Sequence, residues 1–182
     1  MIKGGTGGGK TNVNGLRFEK RVSLRSVLEA IPEYSVKEHS VYFDDKKVAE
    51  LYPKHDIYKK LLEPSKIDYM TLISKKLLPD DAILILKNKT MYIIEIKFQE
   101  VSGSVDEKLQ TCDFKKKQYQ KLLAPLNIEV EYIYVLNDWF KNEKYAHVLE
   151  YVKSVGCKYF FYEIPLTELG LPKPPRNNAP LK

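Results

Sequence analysis

The sequence predicts an α/β domain with a mixed central sheet flanked by helices, and three patterns lead to this prediction. Two apolar runs within residues 81–98 are joined by a polar turn at 87–90, which is typical of a β-hairpin. A helical pattern at 106–123 follows the hairpin, and an apolar strand at 128–136 follows that helix. Because strand, helix and strand in succession form a βαβ unit, we expect the second hairpin strand and the next strand to be parallel, with a right-handed crossover.

The N-terminal elements are predicted from apolar spacing and from proline. A helix begins after Gly15 and ends at Pro32, since apolar residues recur between them at roughly helical spacing. Residues 33–43 alternate in part and predict a strand or one arm of a hairpin. Residues 47–62 look helical, with a break just before Pro53 because proline cannot continue a helix.

The remaining elements complete the sheet and its helical layers. Residues 67–78 fit a helix and a strand equally well. A helix is expected over 142–155, where Gly156 closes it, and a last strand over 158–164.

The chain length predicts one domain with arms. The chain has 182 residues, of which 43% are hydrophobic and 30% charged, a globular balance. We expect a flexible Gly-rich arm at 1–14, a single domain at 15–170 and a Pro-rich tail at 171–182. Two cysteines exclude a disulfide scaffold and cannot form a zinc site by themselves. With no apolar run of about 18 residues, the sequence predicts a reduced, soluble, cytoplasmic protein and no membrane partner.

The charge balance permits a polyanionic partner. The chain carries 30 basic and 24 acidic side chains, a formal net charge of +6. Such a balance is compatible with nucleic-acid binding but does not establish it, since many lysine-rich proteins bind no nucleic acid.

The segment GGTGGGKT at residues 4–11 matches the phosphate-loop pattern of nucleotide-binding proteins. A phosphate loop must connect a buried strand to a helix, and here only three residues precede it. No helix opens at Thr11 either. We therefore do not expect nucleotide binding; a Gly-rich loop that approaches a nucleic-acid backbone, with Lys10 as a contact, and plain disorder both remain open.

Two charged side chains interrupt the second apolar run of the hairpin. Glu95 and Lys97 are two residues apart, so both leave the same face of the strand. If the hairpin is symmetric about residues 88 and 89, Asp80 faces Lys97 and shares that face, while Asp81 points to the other side. A slip of one residue would exchange the two aspartates.

Two carboxylates and an ammonium group in this arrangement suggest a site for a hard cation. Oxygen atoms of Asp80 and Glu95, with the main-chain carbonyl of Ile96 and water, suit Mg²⁺, and Mn²⁺ is a possible substitute. Lys97 would position or help to deprotonate an attacking water, or stabilise negative charge on a phosphate. The alternative is a structural cluster of ion pairs at the end of a sheet.

The arrangement Pro79-Asp80, fourteen residues, then Glu95-Ile96-Lys97 resembles the PD-(D/E)XK nuclease superfamily. The text that follows, FQEVSGSVDEKLQTCDFKKKQYQKLL at residues 98–123, resembles a segment found after this motif in some type II restriction endonuclease-like members. The order of helix, hairpin, helix and parallel strand is similar to the αβββαβ core of that superfamily, and the resemblance covers residues 15–136. It implies that Asp80 and Glu95 bind the metal and that Lys97 is the third signature residue.

The same resemblance implies two further site residues and an activity. Glu19 matches an acidic residue that many members place on the first helix near the metal, although a solvated helix charge is an equal alternative. Gln99 would touch a substrate phosphate or a ligand of the metal. Members that are nucleases cut double-stranded DNA with Mg²⁺ and leave 5′-phosphates.

The helix after the hairpin offers candidate phosphate contacts. Lys108 and Lys115 are seven residues apart and would share a helix face, and Lys117 and Gln118 lie beside them. A solvated helix surface is the alternative.

Three functions remain open from the sequence. A type II restriction endonuclease acting as a homodimer is the main hypothesis, because a double-strand break needs two cuts. A repair or recombination nuclease resembling a junction resolvase is the second, and a non-catalytic DNA-binding protein on the same fold is the third.

Overall fold

The computed structural model of the chain describes residues 15–19, 22–100 and 105–175. The predicted N-terminal arm with Lys10, and the last seven residues of the predicted tail, lie outside the described residues. The described strands are β1 (Gly15–Arg17), β2 (Tyr34–Lys37), β3 (Ser40–Phe43), β4 (Lys46–Leu51), β5 (Asp81–Ile85), β6 (Thr90–Lys97), β7 (Glu129–Leu136), β8 (Lys158–Phe161) and β9 (Glu163–Pro165). The described α-helices are α1 (Leu24–Glu29), α2 (Val105–Leu109), α3 (Cys112–Leu123) and α4 (Ala146–Ser154).

Seven of these strands form one mixed sheet with the order β2-β3-β4-β5-β6-β7-β8. Neighbours from β2 to β6 are antiparallel, whereas β6, β7 and β8 are parallel. The predicted parallel pairing of the hairpin's second strand with the next strand is therefore confirmed. A separate two-stranded antiparallel ladder joins β1 to β9.

Helices pack on both faces of the large sheet. On one face, buried residues of α2, α3 and α4 pack against alternate residues of β6 and β7 and form the first hydrophobic core. On the other face, α1 and the β1–β9 ladder cover the intervening residues of the same strands and form the second core. The protein is thus a mixed α/β fold with a seven-stranded sheet flanked by helices. Among the described residues, no helix is both long and apolar enough to cross a lipid bilayer.

Two predicted helices of the N-terminal half are wrong over part of their length. The chain at 15–17 is a strand, because Leu16 pairs with Ile164 across the β1–β9 ladder, and α1 begins only at Leu24. Ser23 caps α1 by accepting a hydrogen bond from the Ser26 N–H at 3.3 Å. Residues 46–51 form β4 rather than a helix, and a π-helical segment follows at Ile57–Leu62, so the break predicted before Pro53 does occur.

Other differences lie in the loops and at the C-terminal end. Residues 67–78 contain only a 3₁₀ turn at Tyr69–Thr71. The helix predicted at 106–123 is divided into α2 and α3. The tail predicted to begin at Leu171 is still packed there, because Leu171 is buried in the second core and the Pro172 carbonyl accepts a hydrogen bond from Tyr34 Oη at 2.6 Å.

The hairpin of β5 and β6 has a different register from the predicted one. Ala82 faces Ile93 rather than Glu95, because the turn is centred one residue earlier than residues 88 and 89. Leu86 belongs to the turn, and its N–H donates a hydrogen bond to the Val48 carbonyl of β4 at 3.1 Å. This change moves each pairing by two residues, so the side chains keep their predicted faces.

Candidate active site

The candidate site lies where β6 extends beyond β5. The last β5 pairing joins Asp81 to Ile94, so the main chain of Ile96 has no strand partner on that side. Asp80 fills this position, and its Oδ2 accepts a hydrogen bond from the Ile96 N–H at 2.8 Å. Since the N–H and C=O of one strand residue point to the same side, the Ile96 carbonyl faces the side of Asp80.

The structure brings Asp80, Glu95 and Lys97 together. Lys97 Nζ lies 2.7 Å from Glu95 Oε2 and 3.5 Å from Asp80 Oδ2. The Glu95 side chain is only 7% exposed, whereas the Asp80 side chain is 45% exposed. Glu95 therefore forms the buried floor of the site and Asp80 its open rim.

The ionisation of Lys97 follows from these neighbours. Burial lowers the pKa of Lys97, but the charges and hydrogen bonds of Glu95 and Asp80 more than offset this effect, and the pKa is raised above its ordinary value. The side chain is thus a protonated donor at neutral pH and not a base.

Lys115 of α3 is a fourth charged member of the site. Its Nζ lies 3.4 Å from Glu95 Oε1, so both carboxylate oxygens of Glu95 contact an ammonium group. The sequence predicted Lys115 as a phosphate contact but gave no reason to place it beside Glu95. A usable signal was the spacing of four residues between Lys115 and Tyr119, because it puts the lysine on the stripe of α3 that packs on the sheet.

The charge of Glu95 also acts on two buried tyrosine hydroxyl groups of the same hydrophobic core. Tyr119 and Tyr132 are 1% and 0% exposed, and neither hydroxyl has a hydrogen-bond partner among the described residues. Burial, followed by nearby charges that include Glu95, raises the pKa of both phenols. Both phenols are therefore neutral O–H groups in a core that the charge of Glu95 reaches.

Asp81 lies on the opposite face of the hairpin from this cluster. Its Oδ2 accepts a hydrogen bond from the N–H of Leu24, at the start of α1, at 2.9 Å. Burial raises the pKa of Asp81 to about 6, partly opposed by that hydrogen bond. Of the two adjacent aspartates, only Asp80 therefore contacts Lys97.

The two further residues implied by the family resemblance lie just beyond the ends of β1 and β6. Glu19 lies in the loop between β1 and α1, not on a helix as expected, because the chain here is still leaving β1. It is exposed and, among the described residues, makes no hydrogen bond or ion pair with Asp80, Glu95 or Lys97. Gln99 follows the end of β6, where its main chain is held by two hydrogen bonds to the Asn137 side chain, at 3.2 and 2.7 Å.

The other predicted phosphate contacts are distributed differently from the prediction. Lys108 and Lys115 do not share a helix face, since the chain breaks between α2 and α3. Lys117 pairs with Asp113 at 2.7 Å on the exposed side of α3. Gln118 is half-buried and lies one helical turn from Lys115.

An open groove of about 660 Å³ adjoins Asp80 and Ile96. Its walls come from α1, the β2–β3 turn and the segment after β4, and it therefore opens from the face opposite Glu95. The groove is lined by ionisable residues of both kinds. The basic ones include Arg25, His39, Lys54 and Lys60, and the acidic ones include Glu38, Asp56, Asp80 and Asp81. The groove gives a ligand access to the exposed carboxylate of Asp80.

The donor atoms of the site fit Mg²⁺ or Mn²⁺. The described residues contain no group of three or more His, Cys, Asp or Glu side chains that could hold a metal ion. Mg²⁺ does not need such a group, because it is commonly held by one or two carboxylates and retains several waters. Asp80, Glu95 and the Ile96 carbonyl supply hard oxygen donors, and the charge of Glu95 acts on the buried, unpaired hydroxyls of Tyr119 and Tyr132.

Comparisons with protein-family models, curated proteins and solved structures find no match to this chain. The chemistry therefore has to be inferred from the charged cluster at the end of β6 and from the fold that holds it.

Proposed function

We propose that the protein is a Mg²⁺-dependent DNA endonuclease of the PD-(D/E)XK type, most similar in its design to type II restriction endonucleases. The observation that carries this proposal is the meeting of Asp80, Glu95 and Lys97 where β6 extends past β5. Two carboxylates and a protonated lysine on one strand face match the signature in kind and in order along the chain.

The order of elements supports the same proposal. α1, the β4-β5-β6 meander, α3 and β7 correspond in sequence to an αβββαβ core. The β2–β3 hairpin would then be an addition at one sheet edge, and β8 an addition at the other. The charged cluster sits at the carboxyl end of the parallel pair β6–β7, where ligands commonly bind in sheets of this kind.

The roles of the residues follow from their geometry. Asp80, Glu95 and the Ile96 carbonyl would hold the metal ion, which supplies Lewis-acid activation of water and of the phosphate. Lys97 donates its N–H groups to a non-bridging phosphate oxygen and stabilises the charge that develops there. Hydrolysis then forms a bond from water oxygen to phosphorus and breaks the P–O3′ bond, leaving a 5′-phosphate and a 3′-hydroxyl.

The oligomeric state expected for this activity is a homodimer. One site cuts one strand, so a double-strand break needs two sites, and two-fold symmetry would match a palindromic target. The homodimer is thus inferred from the need to cut both DNA strands.

The test is a cleavage assay on long, linear, unmethylated DNA with millimolar Mg²⁺. We expect discrete fragments that disappear with EDTA and in Lys97→Ala. Lys46→Ala, which removes an exposed lysine at the far end of β4, is the matched control and should cut like the wild type.

The fragment pattern distinguishes the alternatives. A smear that disappears with EDTA and in Lys97→Ala would mean a nuclease without sequence selection, and cutting of branched DNA alone would favour a resolvase-like enzyme. Binding of DNA with no cutting in Mg²⁺ or Mn²⁺ would refute the proposal and favour a non-catalytic DNA-binding protein.

A further inference from the structure

Each carboxylate oxygen of Glu95 contacts the ammonium group of a different lysine. Lys97 Nζ contacts Oε2 at 2.7 Å, and Lys115 Nζ contacts Oε1 at 3.4 Å. With Asp80, the cluster contains two negative and two positive side chains, so its formal charge is zero. A divalent cation binds hard oxygen ligands chiefly through their negative charge, and a neutral cluster attracts it weakly.

The two lysines differ in how firmly they are held. Lys97 lies on the same strand face as Glu95, two residues away, and also contacts Asp80. Lys115 reaches Glu95 from a separate helix, over the longer distance, and its side chain is 27% exposed. The backbone of α3 is anchored by buried Cys112 and Tyr119, one turn on either side, so the Lys115 ammonium can leave Glu95 by rotation of its own side chain.

From this difference we infer that Lys115 is a positioning residue that couples metal binding to substrate binding. In the free protein its ammonium group competes with a divalent cation for Glu95. When a phosphodiester enters, the ammonium group turns to the phosphate, and Glu95 becomes available to the metal ion. The inference rests on the proposed nuclease function and adds a regulation of that same site.

Thermodynamic linkage makes the coupling reciprocal. If a phosphodiester strengthens metal binding by some factor, the metal strengthens phosphodiester binding by the same factor. Couplings between two ligands are typically about 5–150-fold, so we expect about a tenfold effect here. The free protein would then hold little metal, and the complete site would form only on DNA.

The test measures Mn²⁺ affinity by electron paramagnetic resonance, without DNA and independently of cleavage. Lys115→Gln removes the competing charge and should bind Mn²⁺ about tenfold more tightly than the wild type, within the range usual for coupled sites. Lys115→Arg keeps the charge and should retain the weak affinity. Lys121→Gln removes an exposed lysine from the same helix and is the matched control. Glu95→Gln should abolish the gain in the double variant, which assigns the bound ion to this site.

Addition of a short duplex completes the test, and gels run alongside report whether the duplex is cut. Wild-type affinity for Mn²⁺ should rise about tenfold, whereas that of Lys115→Gln should rise less. Equal Mn²⁺ affinity of wild type and Lys115→Gln without DNA would overturn the inference, even if the wild type cuts DNA. Absence of Mn²⁺ binding in every variant, with and without DNA, would overturn the inference and the proposed function together. Tighter binding by Lys115→Gln in a protein that never cuts would support the coupling at Glu95 and refute the nuclease function alone.

Discussion

The adjacent aspartates at the start of β5 provide a matched pair of substitutions. Asp80→Asn removes one of two carboxylates that face Lys97, and the change is nearly isosteric. Losing one charged group of an active site commonly costs about 10²–10³-fold in rate, so we expect a loss of that size in DNA cutting. Asp81→Asn should keep cutting, because Asp81 faces α1 and not Lys97.

Asp81→Asn should also change the stability of the protein. The pKa of Asp81 is raised from 3.8 to about 6, so the folded protein binds this proton more tightly than the unfolded chain does. The resulting stabilisation is complete below pH 3.8 and is lost as the pH rises through 6. Two pKa units correspond to about 3 kcal/mol, which is the upper limit of what the buried charge costs above pH 6.

An asparagine at position 81 avoids that cost and still accepts the hydrogen bond of the Leu24 N–H. Asp81→Asn should therefore be more stable than the wild type above pH 6, by up to about 3 kcal/mol, and should show no such gain below pH 3.8. The assays are urea unfolding across that pH range and single-turnover cleavage. Loss of cutting in Asp81→Asn with cutting kept in Asp80→Asn would refute the assignment of Asp80 to the site.

Three further outcomes are expected. Lys97→Met should cut about 10²-fold more slowly in single-turnover assays while its dissociation constant for DNA changes little, and a loss confined to binding would contradict the role of the lysine in charge stabilisation. Burial raises the pKa of Glu50, but hydrogen bonds from a lysine and a tyrosine lower it by more than burial raises it, so the pKa is lowered overall. Glu50→Gln should therefore reduce the free energy of unfolding by about 1 kcal/mol at neutral pH, with the deficit vanishing as the pH falls through the folded pKa; an equal deficit in acid would be inconsistent with a charge effect. Leu171→Ala should reduce the free energy of unfolding by about 3 kcal/mol because its side chain is buried, whereas Lys173→Ala on the exposed side should not; equal stability of the two variants would show that the segment is not packed.

The site was predictable from the sequence because side chains two residues apart on a strand always lie on the same face of the sheet. Glu95 and Lys97 share a face in any register, and the change in pairing between β5 and β6 moved Asp80 by two residues along that same face. What the sequence did not reveal was the contact of Lys115 with Glu95, since it depends on how α3 lies across the sheet. The break between α2 and α3 also changed which lysines share a helix face.

The wrongly predicted elements are strands that form because they pair with strands in other parts of the chain. Residues 46–51 form a strand because they lie between β3 and β5, and their own sequence contains good helix formers such as Ala49 and Glu50. Residues 15–17 form a strand because β9 is present to pair with them. The hairpin at 81–97 and the crossover to β7 were predictable, since their signals are local in the sequence.

The β1–β9 ladder has a consequence for the order of folding. Gly15 pairs with Pro165, 150 positions further along the chain, and the Glu163 side chain lies where a Cβ on Gly15 would be. Closing so long a loop costs entropy that short-range pairs such as the β5–β6 hairpin avoid, so the ladder should form after the central sheet. Leu16 and Ile164 are nevertheless completely buried in the second core, which means that this core stays open to water until the last strands meet. The cluster of Asp80, Glu95 and Lys97 needs only the hairpin and can assemble before the ladder closes.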